Sequence, residues 1–152
     1  MERLKNTLIL LLVAGIPAAA PPLFTAPASL CFTAGSITYQ VTPTARVADT
    51  KVKFDAAAAD LRIGLVDSVE AADFALVDDV GSAGACAPAG GTRTVAIVGA
   101  ADAADFTVSL ARDPAETDVK LFVHSARFGH REAAALLAAM RRDESSAGSR
   151  ER

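Results

Sequence analysis

Residues 120–130 (KLFVHSARFGH) hold the densest group of side chains that could do chemistry. They include both histidines of the chain, His124 and His130, with Ser125 and Arg127 between them. An imidazole can transfer protons near neutral pH or ligate a metal, so the histidines are the natural centre of any site. Ser125 lacks the G-x-S-x-G context that exposes a serine nucleophile on a sharp turn. Nucleophilic catalysis by Ser125 is therefore not predicted.

Acidic residues elsewhere in the chain could complete a site around His124. A carboxylate fixes the tautomer of a neighbouring imidazole, so His124 and Asp67 could form an acid–base pair. His124 and His130 with Asp67 or Asp102 could instead ligate zinc or copper. The histidines lack a short metal-binding spacing, and the simpler interpretation is that His124 packs at a strand end while Ser125 begins a turn. The sequence therefore assigns no catalytic residue and no metal site, and His124, His130 and Asp67 are kept as candidates.

Two further segments have the composition of ligand sites but not their motifs. Asp78 and Asp79 could hold a divalent cation, but the chain has no D-x-D-x-D-G loop, and a solvated turn is the simpler interpretation. Residues 81–91 (GSAGACAPAGG) contain no G-x-G-x-x-G and are not followed by Lys-Ser/Thr. They are predicted to form a flexible loop, and no cofactor is expected.

Strand patterns dominate the elements that must position these residues. Residues 36–42 (SITYQVT) alternate cleanly, with Ile37, Tyr39 and Val41 on one face, and residues 94–98 (TVAIV) are apolar on both faces. The first pattern favours antiparallel pairing with one wet face, and the second a central strand. The segments with a strand pattern are residues 36–42, 51–54, 61–66, 74–77, 94–98, 106–110 and 119–123.

One helix is predicted over residues 130–142. Its apolar positions recur at helical spacing, Gly129 can serve as the N-cap, and Glu132 suits the first turn. These apolar positions are Ala133, Leu136, Leu137 and Met140. Because the apolar strip is rich in alanine, the helix can approach a sheet closely, and a packing role is favoured over a partner-binding stripe.

The chain also repeats itself. Residues 63–76 (IGLVDSVEAADFAL) match residues 95–108 (VAIVGAADAADFTV) at an offset of 32 residues. Each unit is predicted to contain a strand, a short alanine-rich turn, an aspartate (Asp73 or Asp105) and a second strand. A shorter third copy of the pattern includes Asp60. The aspartate is predicted to fix its turn through the side chain. We expect duplicated modules that resemble hairpins.

Short connections decide the expected topology. Six residues separate Val66 from Asp73, and six separate Val98 from Asp105, whereas a parallel crossover needs about a dozen. We therefore expect an α+β fold with an antiparallel or mixed sheet of about six strands and one C-terminal helix packed on it. In a simple meander one sheet edge would receive Asp67, Glu70, Asp102 and His124, and the other edge Asp78 and Asp79.

The start of the chain is typical of a secretory signal peptide. Arg3 and Lys5 precede nine apolar residues, 8–16 (LILLLVAGI), and Ala26 and Ala28 supply the small side chains that signal peptidase requires. We predict a signal peptide at residues 1–28, a single exported domain at 29–142 and a disordered charged tail at 143–152. An uncleaved membrane anchor and a lipoprotein attached at Cys31 are the alternatives.

Export changes the interpretation of the two cysteines. In an oxidising compartment Cys31 and Cys86 are predicted to form a disulfide with each other. A redox pair is the alternative, but the chain has no C-x-x-C spacing.

Charge and resemblance limit the function. Fifteen Lys/Arg and eighteen Asp/Glu give a net charge of −3, which argues against a nucleic-acid partner. The leader, the SITYQV strand, the ADFALVDD segment and the KLFVHSARFGH end resemble short exported bacterial proteins of unknown function. This resemblance implies an exported α/β domain and carries no activity.

We therefore predict a small periplasmic or secreted module of the bacterial envelope and favour a binding or interaction protein over an enzyme. Its partner would be an envelope protein or a small-molecule ligand, and residues 36–42 could accept a partner strand if they lie at a sheet edge. The alternatives are an enzyme or metal protein centred on His124, with Asp67 and His130, and a membrane-tethered accessory subunit if the leader is not cut.

Overall fold

The computed structural model describes residues 30–78, 91–111 and 116–148, which form a curled β-sheet and one long helix. The strands are β1 (Leu30–Ala34), β2 (Ile37–Val41), β3 (Thr50–Phe54), β4 (Leu61–Leu65), β5 (Phe74–Asp78), β6 (Gly91–Val98), β7 (Phe106–Ala111) and β8 (Val119–Ser125). The helix α1 is His130–Gly148, and short 3-10 turns are formed by Ala45–Val47 and Val69–Ala71. The predicted signal peptide lies outside the described residues.

The eight described strands form a single mixed sheet in the order β1-β2-β6-β3-β7-β4-β8-β5. β1 is antiparallel to β2, and every other neighbouring pair is parallel. The α+β class with a C-terminal helix is confirmed, but the sheet has eight strands rather than about six. β2 to β8 coincide with the segments that have a strand pattern, whereas β1 was not predicted.

The predicted antiparallel pairing of the joined strands is wrong, and the register explains why. Val41 at the end of β2 and Thr50 at the start of β3 are both paired with Val95 of β6. In the same way Leu65 ends β4 and Phe74 begins β5 level with Leu121 of β8. Because β3, β4 and β5 each start at about the level where the previous strand ended, as β7 and β8 also do, the short connectors need not return along a strand. The dozen residues of an ordinary parallel crossover are needed for that return.

The sheet is built from two interleaved runs of chain. One run contributes β2, β3, β4 and β5, and β6, β7 and β8 are inserted between these strands. The two strands of each repeated segment therefore lie parallel on either side of a strand from the other run, and do not form hairpin-like modules. β2 lies between β1 and β6, so the strand of residues 36–42 is not at an edge of the described sheet. The edge strands are β1 and β5.

Five aspartates make the same contact at the starts of five strands. Each carboxylate accepts the backbone N–H of one residue on the neighbouring strand, at 2.7–2.9 Å. The pairs are Asp49 with Thr94, Asp60 with Thr107, Asp73 with Lys120, Asp105 with Lys51 and Asp118 with Arg62. In four of them the aspartate N–H also donates to the carbonyl of that same residue. The predicted turn-fixing aspartates thus fasten one strand to the next.

The turn between β1 and β2 explains the strand that was not predicted. Ala34 is paired with Ile37, so the hairpin loop has two residues, Gly35 and Ser36. Gly35 has φ +59°, the left-handed value that both favoured two-residue turns require at their first position. The Gly-Ser dipeptide was the available sequence signal for this hairpin.

Alternating side chains from the strands form one core around α1. Ile37, Tyr39 and Val41 of β2 all belong to it, as their alternation predicted. Thr38 faces the other way but is only 1% exposed, whereas Gln40 on the same face is partly exposed, so the face of β2 predicted to contact solvent does so only in part. The fully buried strand side chains of the core include Val52, Ile63, Leu76, Val95, Val108 and Leu121.

The helix is enclosed rather than laid on one face. Residues 133–139 of α1 are each at most 3% exposed, and seven successive positions cover nearly two turns. Every side of this stretch is therefore buried, with contacts to β2, β3, β6, β7 and β8. Five of the seven residues are alanine, which leaves room for the curled sheet to surround the helix.

The helix also continues beyond its predicted end. α1 runs to Gly148, through the first part of the segment predicted to be a disordered tail. Arg142 donates to the carbonyl oxygen of Asp49 and to Thr50 Oγ1, and Asp143 accepts from the Tyr39 hydroxyl. These contacts with the sheet hold the part of the helix that lacks an apolar strip.

Aromatic rings bring the two sheet edges together. Phe32 of β1 lies edge-on to Phe74 of β5, with ring centroids 6.4 Å apart, and to Phe128 just before α1, at 6.5 Å. β1 and β5 are the first and last strands of the sheet order. The sheet is therefore curled far enough for its opposite edges to make side-chain contact.

In the described part of the chain, no helix is long and apolar enough to span a membrane.

Candidate functional site

A cavity of about 370 Å³ lies between the ends of two strands and the start of α1. It is lined by Leu65, Val66, Asp67, Leu121, Val123 and His130. Four of these side chains are aliphatic and two are polar. The lining presents polar and apolar surface in about equal amounts, and the volume is within the normal range for small-molecule sites of roughly 300–1,000 Å³.

Two neighbouring parallel strands build the wall of the cavity. Leu65 of β4 is paired with Leu121 of β8, and the Val66 N–H donates to the Leu121 carbonyl at 3.0 Å. Ligands of parallel sheets bind beyond the carboxyl ends of the strands, and the cavity lies beyond the end of β4. The lining strand residues were not predicted as site residues because the strands were expected to be antiparallel.

Asp67 is the one aspartate with a described side chain that makes no hydrogen bond or ion pair. The other eight use their carboxylates: five join strands, Asp55 and Asp102 accept the N–H of Ala57 and Gly99, and Asp143 accepts from Tyr39. His130 also lines the cavity, and no hydrogen bond or ion pair joins it to Asp67. Two of the three candidate residues thus share one cavity as unpartnered polar groups.

His124, the third candidate, lies elsewhere. Its side chain is exposed and does not line the cavity, and its ring is parallel to that of Phe122, with centroids 6.4 Å apart. Ser125 Oγ accepts the N–H groups of Arg127 and Phe128, both at 3.0 Å, so it begins a turn. The predicted group in residues 120–130 is therefore divided between the outer surface, a turn and the cavity.

The remaining predicted ligand groups do not assemble in the described residues. Among the described parts of the chain, no three His, Cys, Asp or Glu side chains are placed to hold a metal ion. Asp79, Cys86 and most of residues 81–91 lie outside the described residues, and so does the side chain of Asp78. Cys31 is half-buried on β1, and its pairing with Cys86 stays a prediction.

The carboxylate of Glu132 lies at the positively polarised N-terminus of α1. The Ala133 N–H donates to the Gly129 carbonyl at 3.0 Å, so Gly129 is at the predicted N-cap position. Glu132 folds back over this turn: its Oε2 is 2.7 Å from the place a Cβ would take on Gly129. A carboxylate at this point offsets the positive end of the helix dipole.

Nearby cations are directed at aromatic rings. The guanidinium carbon of Arg131 lies 4.3 Å from the centroid of the Phe54 ring, and that of Arg127 lies 5.5 Å from the Phe128 ring. Neither arginine lines the cavity. Asp67 is thus left as the aspartate at the cavity with neither an ion-pair partner nor a hydrogen-bond donor.

A second polar cluster fastens the far half of α1. The Tyr39 hydroxyl donates to Asp143 Oδ2 at 3.1 Å, and Arg93 Nε lies 3.7 Å from that oxygen. Burial and then the hydrogen bond to Asp143 raise the pKa of Tyr39 to about 12. Arg142 Nη1 lies 3.6 Å from Asp105 Oδ2, just before β7, so this ion pair is a further contact between the helix and the sheet.

No protein-family model, curated protein or solved structure matched this chain when it was compared with known proteins. The functional argument therefore rests on the cavity and on the residues that surround it.

Proposed function

We propose that this chain is a small exported module of the bacterial envelope that binds a small molecule in the cavity between β4, β8 and the start of α1. The observation that supports it best is the lining itself, with four aliphatic side chains around two unpartnered polar ones, Asp67 and His130. The four aliphatic side chains suit a short apolar ligand body, and the polar groups, which make up about half of the lining surface, would orient the ligand's head group.

The module is proposed to bind its ligand without catalysing a reaction on it. An imidazole that acts in an acid–base pair is usually oriented by a hydrogen bond to a carboxylate. Asp67 and His130 share the cavity without such a bond, and His124 lies outside it. The export of the module is inferred from the leader sequence, which also supports a periplasmic or secreted location.

Methyl-resolved NMR of the purified protein tests this function. Hexanol is a suitable neutral probe because it offers an apolar chain and one polar head. We expect saturable shifts of the methyl signals of Leu65, Val66, Leu121 and Val123, and Val66→Phe should abolish them by filling the cavity. The matched control is Val47→Phe, because Val47 is 67% exposed in the corresponding turn between β2 and β3. No saturable shift with neutral, cationic or anionic six-carbon probes would refute the proposal.

A further inference from the structure

We propose that the cavity selects an organic ammonium group carried on a short aliphatic chain, with Asp67 as its counter-ion. This inference rests on the proposed function and names the class of its ligand. It depends on the contrast between Asp67 and every other aspartate with a described side chain. Eight carboxylates are satisfied by N–H or O–H donors, and the ninth is at the cavity without a donor.

An anionic head is disfavoured by the charges around the cavity. The positive end of α1 is faced by Glu132, which lies against Gly129 in the first turn. Arg127 and Arg131, the cations closest in sequence to His130, are over the rings of Phe128 and Phe54. No Lys or Arg is among the residues that line the cavity, so a ligand carboxylate would meet the charge of Asp67 without an ammonium or guanidinium partner in the lining.

A protonated amine matches the two polar groups better than a hydroxyl does. An ammonium group has three donors and no acceptor, whereas a carboxylate and a neutral imidazole nitrogen can both accept. Asp67 would supply a charge-assisted hydrogen bond, and His130 a second acceptor. The aliphatic chain would contact Leu65 and Val123, which line the cavity and are half-buried, whereas Leu121 is fully buried.

Three probes of equal length separate charge from shape. Hexylammonium, hexanol and hexanoate are titrated against the full chain at neutral pH and followed by the same methyl signals. We expect hexylammonium to bind about tenfold more tightly than hexanol, and hexanoate more weakly than either, since a charge-assisted bond adds about that factor. Equal affinities for hexylammonium and hexanol would overturn the inference and leave the proposed function standing.

Variants locate the source of the preference. Asp67→Asn should reduce the tenfold preference for hexylammonium over hexanol to about one and leave the affinity for hexanol unchanged. The fold should persist in this variant because Asp67 is exposed and its carboxylate has no partner. The matched control is Glu144→Gln. It also removes one negative charge, but at a position on α1 that is about 21 Å from His130 along the helix axis. Retention of the preference in Asp67→Asn, or its loss in Glu144→Gln, would show that Asp67 is not the counter-ion. Binding of none of the three probes would instead refute the proposed function.

Discussion

Tyr39 illustrates at the scale of one residue how the sheet holds its helix. The ring is 3% exposed in the core, while its hydroxyl donates to Asp143 of α1. Burial is the larger cause of the rise in the pKa of Tyr39 to about 12, and the bond to Asp143 adds to it. The folded state therefore favours the neutral phenol. This contribution to stability is complete below about pH 10, the ordinary tyrosine pKa, and is lost as the pH rises through 12.

The titration of Tyr39 can be read directly because it is the sole tyrosine and the chain has no tryptophan. Absorbance of the phenolate should rise with a midpoint near pH 12 in the folded protein and near 10 in denaturant. Asp143→Asn should lower the folded midpoint but keep it above 10, because the burial remains. A midpoint near 10 while circular dichroism still reports a folded chain would contradict the buried, hydrogen-bonded phenol.

At the scale of the element, the repeated unit is a strand that begins with an aspartate. Asp49 accepts the N–H and the hydroxyl of Thr94, at 2.8 and 2.7 Å. These bonds, the backbone bond first, lower the pKa of Asp49 below its usual value. A lowered pKa stabilises the fold above the ordinary aspartate pKa of about 4, and the effect is lost as the pH falls through the folded value.

Removal of this carboxylate should weaken the join between β3 and β6. Asp49→Ala is expected to lower the free energy of unfolding by about 1–2 kcal/mol at neutral pH, as lost hydrogen bonds to a charged group typically do. Urea unfolding from neutral pH down to acid should show the difference from wild type shrinking below about pH 4. Asp55→Ala is the control, since Asp55 accepts only from Ala57 within its own turn and should cost less. A difference that stays constant into strong acid would indicate that the charge contributes nothing.

The elements themselves were largely predictable, and their pairing was not. Strand patterns in the sequence placed β2 to β8, and the repeated Asp-strand pattern identified Asp60, Asp73 and Asp105. Asp49 and Asp118 stand in the same position before a strand, so the same signal could have found them. Pairing depends on which strands meet across the sheet, and the short connectors suggested that consecutive strands are antiparallel neighbours. In the structure β6, β7 and β8 lie between β2, β3, β4 and β5, and all these neighbours are parallel.

At the scale of the whole molecule, the sheet is curled around α1. The alanine-rich strip predicted close packing on one face, but residues 133–139 are buried on every side. A helix buried all round normally has large apolar residues on all its faces, and here alanine makes the faces hard to distinguish in the sequence. The closing contacts between Phe32, Phe74 and Phe128 join residues that are far apart in the chain.

The proposed export also concerns the whole molecule and can be tested on the intact precursor. Expressed with its own leader, the chain should be recovered outside the cytoplasm without residues 1–28 and with both cysteines resistant to alkylation until reduced. Reduction of the Cys31–Cys86 bond should lower stability by roughly 4 kcal/mol in the chain-entropy model. Ala28→Arg is the control that should block cleavage. An uncut cytosolic chain with both thiols alkylated would refute export.

The amino-acid sequence by itself determined all the described elements except β1, because alternation, alanine content and an aspartate before five of the strands are local properties of the chain. It also placed Asp67 and His130 among the residues worth examining. Only the tertiary structure decided that these two share a cavity while His124 faces outward. The physical reason is register: interleaving sets β3, β4 and β5 level with the end of the strand before, and that alignment exists only when distant segments pair.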